Sequence, residues 1–343
     1  MNDLDLYAQA EEARAEVRRL SRTLGKEREQ RIRLEETISV AARAAFSAWD
    51  PPAVPKPARD PRTRTEEVCV AMCADWHYGA VTSDYSRDVC EQRVEAYRDK
   101  ILALAQVQRA DHPIRSCRLW ALGDMVGGEQ IFPGQEHEID ASLVDQSFGV
   151  ARLLSDLITG LLVGFDKVYA VCLPGNHGRI GGKRMPYSPD TNADRIAYLI
   201  AEERVRDPRA TWQIARAGTG ESGRILVDRV GSYGCLLSHG ELFRGGNSFA
   251  GLPYYSFANK ALKWRDMMIG GQMEPFDDLA CGHWHRTTSV EIGSMTLRVC
   301  GTLQTYDSFS RETIAAATRP AQSLLFVSPS KGRVTAEYRV DLT

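Results

Sequence analysis

Most of the chain's seven histidines fall in short polar runs together with other groups that bind cations. These runs are Asp75-Trp76-His77, Gly123-Asp124-Met125-Val126-Gly127-Gly128, Pro174-Gly175-Asn176-His177-Gly178, Ser238-His239-Gly240-Glu241 and Cys281-Gly282-His283-Trp284-His285. Imidazole, carboxylate and a neutral amide oxygen together suit a borderline divalent transition ion better than calcium or magnesium alone. Residues i and i+2 of an extended segment point the same way. Asp75 with His77, and His283 with His285, are therefore expected to grip one ion as pairs. Asp124 can bridge two cations through its two carboxylate oxygens, and Gly123, Gly175, Gly240 and Gly282 let the backbone turn beside the ligands. Taken singly, each run has an ordinary explanation: Gly-Asn-His is usually a turn, and a lone histidine after a strand is more often a satisfied polar residue than a ligand. Their joint occurrence in one chain argues for a metal centre.

The elements that must position these runs show in the hydrophobic pattern. Residues 68–74, 118–122 and 168–173 read as buried strands, and 87–110 and 139–165 as long amphipathic helices. Each strand runs into one of the polar segments, which is where open α/β sheets place ligands. The alternation predicts a mostly parallel sheet with helices on both faces. From Thr211 onward, strands are expected at 225–229, 234–238, 278–281, 290–292, 296–299, 324–327 and 334–340, with one helix at 256–268. Such a chain builds an α/β sandwich whose second sheet is largely antiparallel.

In front of this lies an amphipathic helical stretch, interrupted near Gly25, with Val17, Leu20, Leu24, Leu34, Ile38, Ala41 and Ala45 at helical steps. It fits a helix packed on its own domain or a dimerising arm equally well, its seam being too alanine-rich to specify a coiled coil. Pro51, Pro52, Pro55, Pro57 and Pro61 then disfavour helix. The expected organisation is an N-terminal arm over 1–49, a linker over 50–66 and one domain over 67–343.

Composition narrows the function classes. A chain of 343 residues, 43% hydrophobic, has material for one large core or two modest ones. Lys+Arg 43 against Asp+Glu 45 gives a formal charge of -2, so the molecule is no non-specific nucleic-acid coat, and any such contact must come from a local patch. The eight cysteines are scattered singly, mostly in apolar strand-like runs, which suits buried reduced thiols. The first twenty residues form no apolar leader and no run approaches the roughly 18 apolar residues of a membrane span. A soluble cytoplasmic protein with no membrane partner is expected.

The ordered set Asp75-x-His77, Gly123-Asp124, Gly175-Asn176-His177, His239-Gly240 and Gly282-His283-x-His285 resembles the calcineurin-like metallophosphoesterase superfamily over about residues 68–305. The resemblance implies a four-layer α/β/β/α sandwich and two divalent metal ions, Mn2+ foremost, with Fe, Zn, Co or Mg as alternatives. One ion would be held by Asp75, His77, Asp124 and His285, the other by Asp124, Asn176, His239 and His283. His177 would be the non-ligating acid that serves the leaving oxygen or steadies the phosphoryl group. Two positions depart from the protein phosphatases of that superfamily, which carry an Asp three residues beyond the bridging one and an Asp or Glu directly after Asn-His. Here those positions are Gly127 and Gly178. Gly178-Arg179, the run from His239 to Gly246 and Leu303-Gln304-Thr305-Tyr306-Asp307 look more like phage-encoded exonuclease-type proteins related to the double-strand-break-repair nuclease branch. For a phage-encoded chain the expected location is the host cytoplasm.

Two neighbouring cations would lower the pKa of a bound water and neutralise the non-bridging phosphoryl oxygens, so that hydroxide attacks in line. Arg179, Lys183, Arg184 and Arg244 follow the ligand runs and are expected to grip flanking phosphates or, equally, to be solvated loop charges. Trp76, Tyr78, Tyr187 and Trp284 offer stacking faces for bases, although the tryptophans suit walls better. Three functions stay open at this point. They are a nuclease acting on DNA ends or single strands, a phosphodiesterase or phosphatase for small nucleotides or phosphoproteins, and a binding module without turnover. Partners to consider are DNA, a second copy through the arm or the domain helices, and an ATPase like that of the repair-nuclease branch.

Overall fold

The computed structural model describes residues 64–132, 134–180, 188–218, 221–245, 251–305 and 319–343. Before them it describes residues 14–17, 19, 22, 23, 26, 29, 33, 36–44, 47, 51 and 53–58. The chain divides into two compact units, Met1–Ala48 and Trp49–Thr343. In the first unit the described residues between 14 and 44 are helical, with Val17 and Val40 exposed and Ala42 buried. The seam positions Leu20, Leu24, Leu34 and Ala45, and Gly25, lie outside the described residues. The described part of the proline-rich stretch has no regular structure, and its Val54 carbonyl accepts a hydrogen bond from Arg209 at 3.1 Å.

In the second unit, β1 (Val68–Cys73), β2 (Ser116–Ala121), β3 (Lys167–Cys172) and β4 (Ala210–Ile214) run parallel and are joined by three helices, α1 (Arg87–Gln108), α2 (Leu143–Leu161) and α3 (Ala193–Arg204). A small hairpin, β5 (Ala217–Gly218) and β6 (Glu221–Ser222), leads to β7 (Ile225–Val230), β8 (Tyr233–Ser238), helix α4 (Tyr254–Ile269), β9 (Asp278–Cys281), β10 (Thr288–Ile292) and β11 (Met295–Val299). The chain then returns as β12 (Ala321–Ser328) and β13 (Arg333–Asp341), which pair antiparallel beside β1, so the first sheet has the order β13-β12-β1-β2-β3-β4. The second sheet is ordered β10-β11-β9-β8-β7. It is mixed rather than largely antiparallel, because β9 runs parallel to both β8 and β11.

The sheets stack face to face. Val70, Met72, Trp120, Leu122 and Val171 of the first share a core with Tyr233, Cys235, Leu237 and Ala280 of the second. On the second sheet's other face, Leu236, Leu279 and Leu297 pack with Phe257, Ala261 and Trp264 of α4. The first sheet's other face carries the helices: Tyr97 of α1 sets its hydroxyl 3.1 Å from the Met72 carbonyl and 2.7 Å from that of Ser323. This corrects the expectation of helices on both faces of the first sheet, since one of those faces is taken by the second sheet. A strand buried on both faces is an unbroken apolar run whatever covers it, so the pattern alone does not distinguish the two.

Side-chain caps set the helix starts. Ser142 accepts the Asp145 N–H at 3.2 Å, so α2 begins at Leu143 rather than at 139, and Ile139 bridges to Ala80 instead. All eight cysteines are buried free thiols. Among the described residues no helix is long and apolar enough to cross a membrane.

Candidate metal centre

Five strands deliver the polar runs to one edge of the sandwich: Asp75 and His77 follow β1, Asp124 follows β2, Asn176 and His177 follow β3, His239 follows β8, and His283 and His285 follow β9. Among the described residues, the non-glycine positions with left-handed backbone are Asp75 (φ 53°), His77 (48°), Asp124 (53°), His283 (71°) and His285 (55°). Each such residue costs about 1–2 kcal/mol in an L-amino acid, and strain of this kind gathers where a site requires it.

That backbone revises the pairing expected from extended geometry. Asp75 and His77 do stay together, with His77 Nε2 at 3.8 Å from Asp75 Oδ1. His283 and His285 part company. His285 Nε2 lies 2.9 Å from His77 Nε2 and 3.5 Å from Asp75 Oδ1, whereas His283 Nδ1 lies 3.2 Å from His239 Nε2. Three groups of candidate ligands result, Asp75 with His77 and His285, His77 with Asp124 and His177, and Asp124 with His239 and His283, each with ligand atoms within 4.8 Å of one another. Asn176 joins the last through its Oδ1, 3.2 Å from His239 Nε2.

Burial sets the charge states. It drives His77 well below the ordinary histidine value, helped by the neighbouring His177 and His285, and it drives His283 down to about 3. Both rings therefore present neutral nitrogens, as ligands must. Burial pushes Asp124 up, but His239 and His177 outweigh it and hold the carboxylate well below its usual range. Burial likewise opposes charge on His239, yet Asp124, 3.0 Å away, raises it well above the histidine norm.

These residues fit divalent cations on two counts. Asp75 Oδ1 is buried with no hydrogen-bond partner, while its Oδ2 accepts the His283 N–H at 2.7 Å. A buried acceptor left unmatched in this way costs on the order of 1–3 kcal/mol unless something else satisfies it. The second count is the approach of two imidazole nitrogens to 2.9 Å. Two bonds of about 2.1 Å to one ion bring their nitrogens to about 3.0 Å at a right angle and about 3.4 Å at the tetrahedral angle.

The site rests on a clamp that the motifs did not disclose. Asp194, fully buried at the start of α3, accepts the backbone N–H groups of Asp124 (2.9 Å), Met125 (3.0 Å), Val126 (3.0 Å) and Gly175 (2.8 Å). Asn192 caps the helix at the Asp194 N–H (2.8 Å) and donates to the Gly175 carbonyl (2.8 Å). Two ligand loops are thereby fixed to each other through one helix N-terminus. The only local signal is Asn-x-Asp before a helical run, which marks a cap but says nothing of its targets.

Both departures from the phosphatase pattern have a physical reason. A side chain at Gly178 would put its Cβ 2.3 Å from Asn192 Oδ1, so the clamp excludes a carboxylate there. At Gly127 the backbone carbonyl itself meets His177 Nδ1, at 2.7 Å.

The remaining candidates are scattered. Arg179 is half-buried, its Nη2 reaching the Ile131 carbonyl at 3.4 Å and its Nε buried without a partner. Arg244 is exposed. Lys183, Arg184, Tyr187, Tyr306 and Asp307 lie outside the described residues. Trp76 and Tyr78 are buried walls, and Trp284 is half-buried with its ring edge-on to His283 and Phe257. The closing segment wraps Asp75, whose carbonyl accepts from Thr302 Oγ1 at 2.7 Å and from the Leu303 N–H at 3.2 Å.

No protein-family model matches the chain, and no curated protein matches it by sequence. Among solved structures, it is similar to the zinc complex of Vps29 from Entamoeba histolytica, at 12% identity and a TM-score of 0.34 over 80% of this chain and 99% of that one. An archaeal phosphodiesterase shows 10% identity and a TM-score of 0.32 over 79% of this chain and 99% of that one. A predicted phosphoesterase from Streptococcus pneumoniae shows 13% identity and a TM-score of 0.27 over 80% and 98%. At that level of similarity, function has to be argued from the chain's own side chains.

Proposed function

We propose that the chain is a metal-dependent phosphoester hydrolase that holds two divalent cations, and that its substrate is the phosphodiester backbone of DNA, at ends or in single strands. The observation that carries the hydrolase reading is the convergence of the five left-handed non-glycine residues found among the described residues on one buried set of nitrogen and oxygen donors, one oxygen of which has no hydrogen-bond partner. Asp75, His77, Asp124 and His285 would hold one ion, and Asp124, Asn176, His239 and His283 the other. When bound, the ions supply neutralisation of phosphoryl oxygens and activation of water.

The chain's own contribution begins with His177. Its side chain is 18% exposed beside an Asp124 side chain that is 1% exposed, so it stands on the open side of the ligand set. Because a carbonyl only accepts, the contact with Gly127 requires the proton on Nδ1, which leaves Nε2 as the nitrogen that exchanges a proton with the leaving oxygen. The His177 N–H donates to Asp124 Oδ1 at 2.7 Å, coupling this ring to the bridging carboxylate.

Support for DNA comes from the motif runs that look like repair-type exonucleases and from Arg179, two residues beyond His177 in the chain. Gly127, whose backbone carbonyl meets His177 Nδ1 at 2.7 Å, points away from phosphatase chemistry with a carboxylate-assisted histidine. Purified protein with Mn2+ should degrade labelled single-stranded or duplex DNA. His177→Gln should lower that turnover about 10²-fold with both metals retained, the scale of one general acid. Cleavage confined to a chromogenic phosphodiester or a cyclic dinucleotide would replace DNA with a small nucleotide substrate. Two bound metals with no turnover of any of these would make the chain a binding module. Parallel assays with Mg2+, Zn2+, Fe2+ and Co2+ identify the working ion.

A further inference from the structure

The carbonyl that receives His177 belongs to a peptide with glycine on both sides, Gly127–Gly128. Neither residue has a Cβ to favour one orientation of the plane, and Gly128 sits at φ 82°. A flip would be consequential: it would aim the Gly128 N–H at His177 Nδ1 in place of the Gly127 carbonyl, and the ring would have to adopt the opposite tautomer.

Two buried glutamines from separate elements grip the two ends of this one peptide unit. Gln135, 3% exposed in a short 3-10 turn, donates from Nε2 to the Gly127 carbonyl at 2.7 Å and accepts the Ile131 N–H at 2.7 Å. Gln146, fully buried on α2, accepts the Gly128 N–H at 2.9 Å, with its Nε2 2.9 Å from the Ala141 carbonyl and 3.3 Å from that of Gly128. Each amide is oriented without ambiguity, because each oxygen meets a backbone N–H that only donates. The Gly127 carbonyl thus receives both Gln135 Nε2–H and His177 Nδ1–H, one on each lone pair.

We propose that Gln135 and Gln146 are positioning residues that lock the Gly127–Gly128 peptide and thereby set the tautomer of His177, leaving Nε2, 3.9 Å from Asp124 Oδ2, as the nitrogen turned to the ligand set. A neutral peptide, held by two neutral amides, does here what a carboxylate does where Asp occupies the position of Gly127. The catalytic consequence rests on the reading of His177 as the acid.

Full-length protein with 15N-labelled histidine, recorded with and without diamagnetic Zn2+, tests the lock directly. The His177 signals are identified by their loss in His177→Gln. The neutral ring should show the Nδ1–H tautomer in the wild type and a shift toward Nε2–H in Gln135→Met. Gln146→Met, which releases the other end of the peptide from a different element, should do the same and serves if the first variant does not fold. An unchanged Nδ1–H tautomer in the folded variants, even with a lowered melting temperature, overturns the proposal. Turnover is measured in parallel on phosphodiesters with poor and good leaving groups. The expected result is a loss of about tenfold in kcat with the poor ones, a fraction of the 10²–10⁴ of full acid catalysis. KM and the rate with p-nitrophenolate should not change. A shifted tautomer with unchanged kcat throughout would confirm the lock and remove the acid role from His177.

Discussion

Two buried polar clusters bridge the same pair of sheets, and they handle their charges in opposite ways. Toward the starts of β8 and β9, Asp228 accepts from Arg118 (2.5 Å) and the Trp120 indole (2.7 Å), and Asp278 accepts from Arg298 (2.7 Å), Tyr233 (3.0 Å) and the Thr296 N–H (2.7 Å). Arg298 also reaches Glu337 on β13 at 3.0 Å. Every oxygen of Asp228 and Asp278 has a donor, and the cations are built into the chain. Beyond the strand ends, Asp75 and Asp124 meet histidines and backbone N–H groups but no arginine or lysine among the described residues, and one oxygen has no hydrogen-bond partner. The first cluster is self-neutralising and relaxed; the second is strained and short of positive charge. The difference separates a structural network from a site that recruits its cations from solution, even though both are made of buried carboxylates.

The comparison can be broken most forcefully at Asp124. Asp124→Asn should strip metal and lower turnover by about 10³-fold or more, the several kcal/mol that bound cations contribute. Metal analysis and kinetics check this. At the other cluster, Asp228→Ala should cost about 3 kcal/mol in denaturant unfolding by leaving Arg118 and the Trp120 N–H without their acceptor. Its metal content and its turnover per folded molecule should be unchanged. Next comes the response to metal itself: at a hundredfold excess over Kd, Mn2+ or Zn2+ should stabilise the wild type by about 2.7 kcal/mol. EDTA should reverse the gain, Asp75→Asn should abolish much of it, and Asp228→Ala should keep it. The smallest effect is expected at Asp194→Asn, where an amide replaces an acceptor of four N–H groups. Metal affinity should fall about 10–100-fold, as for other residues that orient ligands from behind. Equal metal titrations in that variant and the wild type would remove Asp194 from the site.

How much of this was legible in the sequence depends on how local each signal is. Asp75, His77, Asp124, Asn176, His177, His239, His283 and His285 stand in short runs at the ends of apolar strands, so residue type and position were enough to bring them into view. Asp194, Asn192, Gln135 and Gln146 act on backbone groups of other loops, and an acceptor aimed at distant N–H groups leaves no periodic trace. The division of His283 and His285 between two groups came from the family resemblance and not from the i, i+2 alternation, because left-handed backbone at histidine runs against intrinsic preference. Of the elements, α3, β4 and the short β5–β6 hairpin were not foreseen. The helix is only 12 residues long, and β4 reads Ala-Thr-Trp-Gln-Ile with alternating exposure as an edge strand. The return of β12 to lie against β1 joins Val68 to Val327, a pairing that no local pattern encodes.

The closed space at Gly178 also constrains how this site can change. A Cβ there would lie 2.3 Å from Asn192 Oδ1 and 2.9 Å from the Asp194 backbone nitrogen, so the Asn192 side chain and the start of α3 both close the space. Removing Asn192 first would forfeit the cap of α3, at about 1 kcal/mol, and the donor to the Gly175 carbonyl, with nothing gained in return. Each single substitution is therefore worse than the native pair. Placing a carboxylate directly after His177 is an epistatic step, tied to the cap of α3. A library varying position 178 should return glycine among its active members, whether or not position 192 is varied with it.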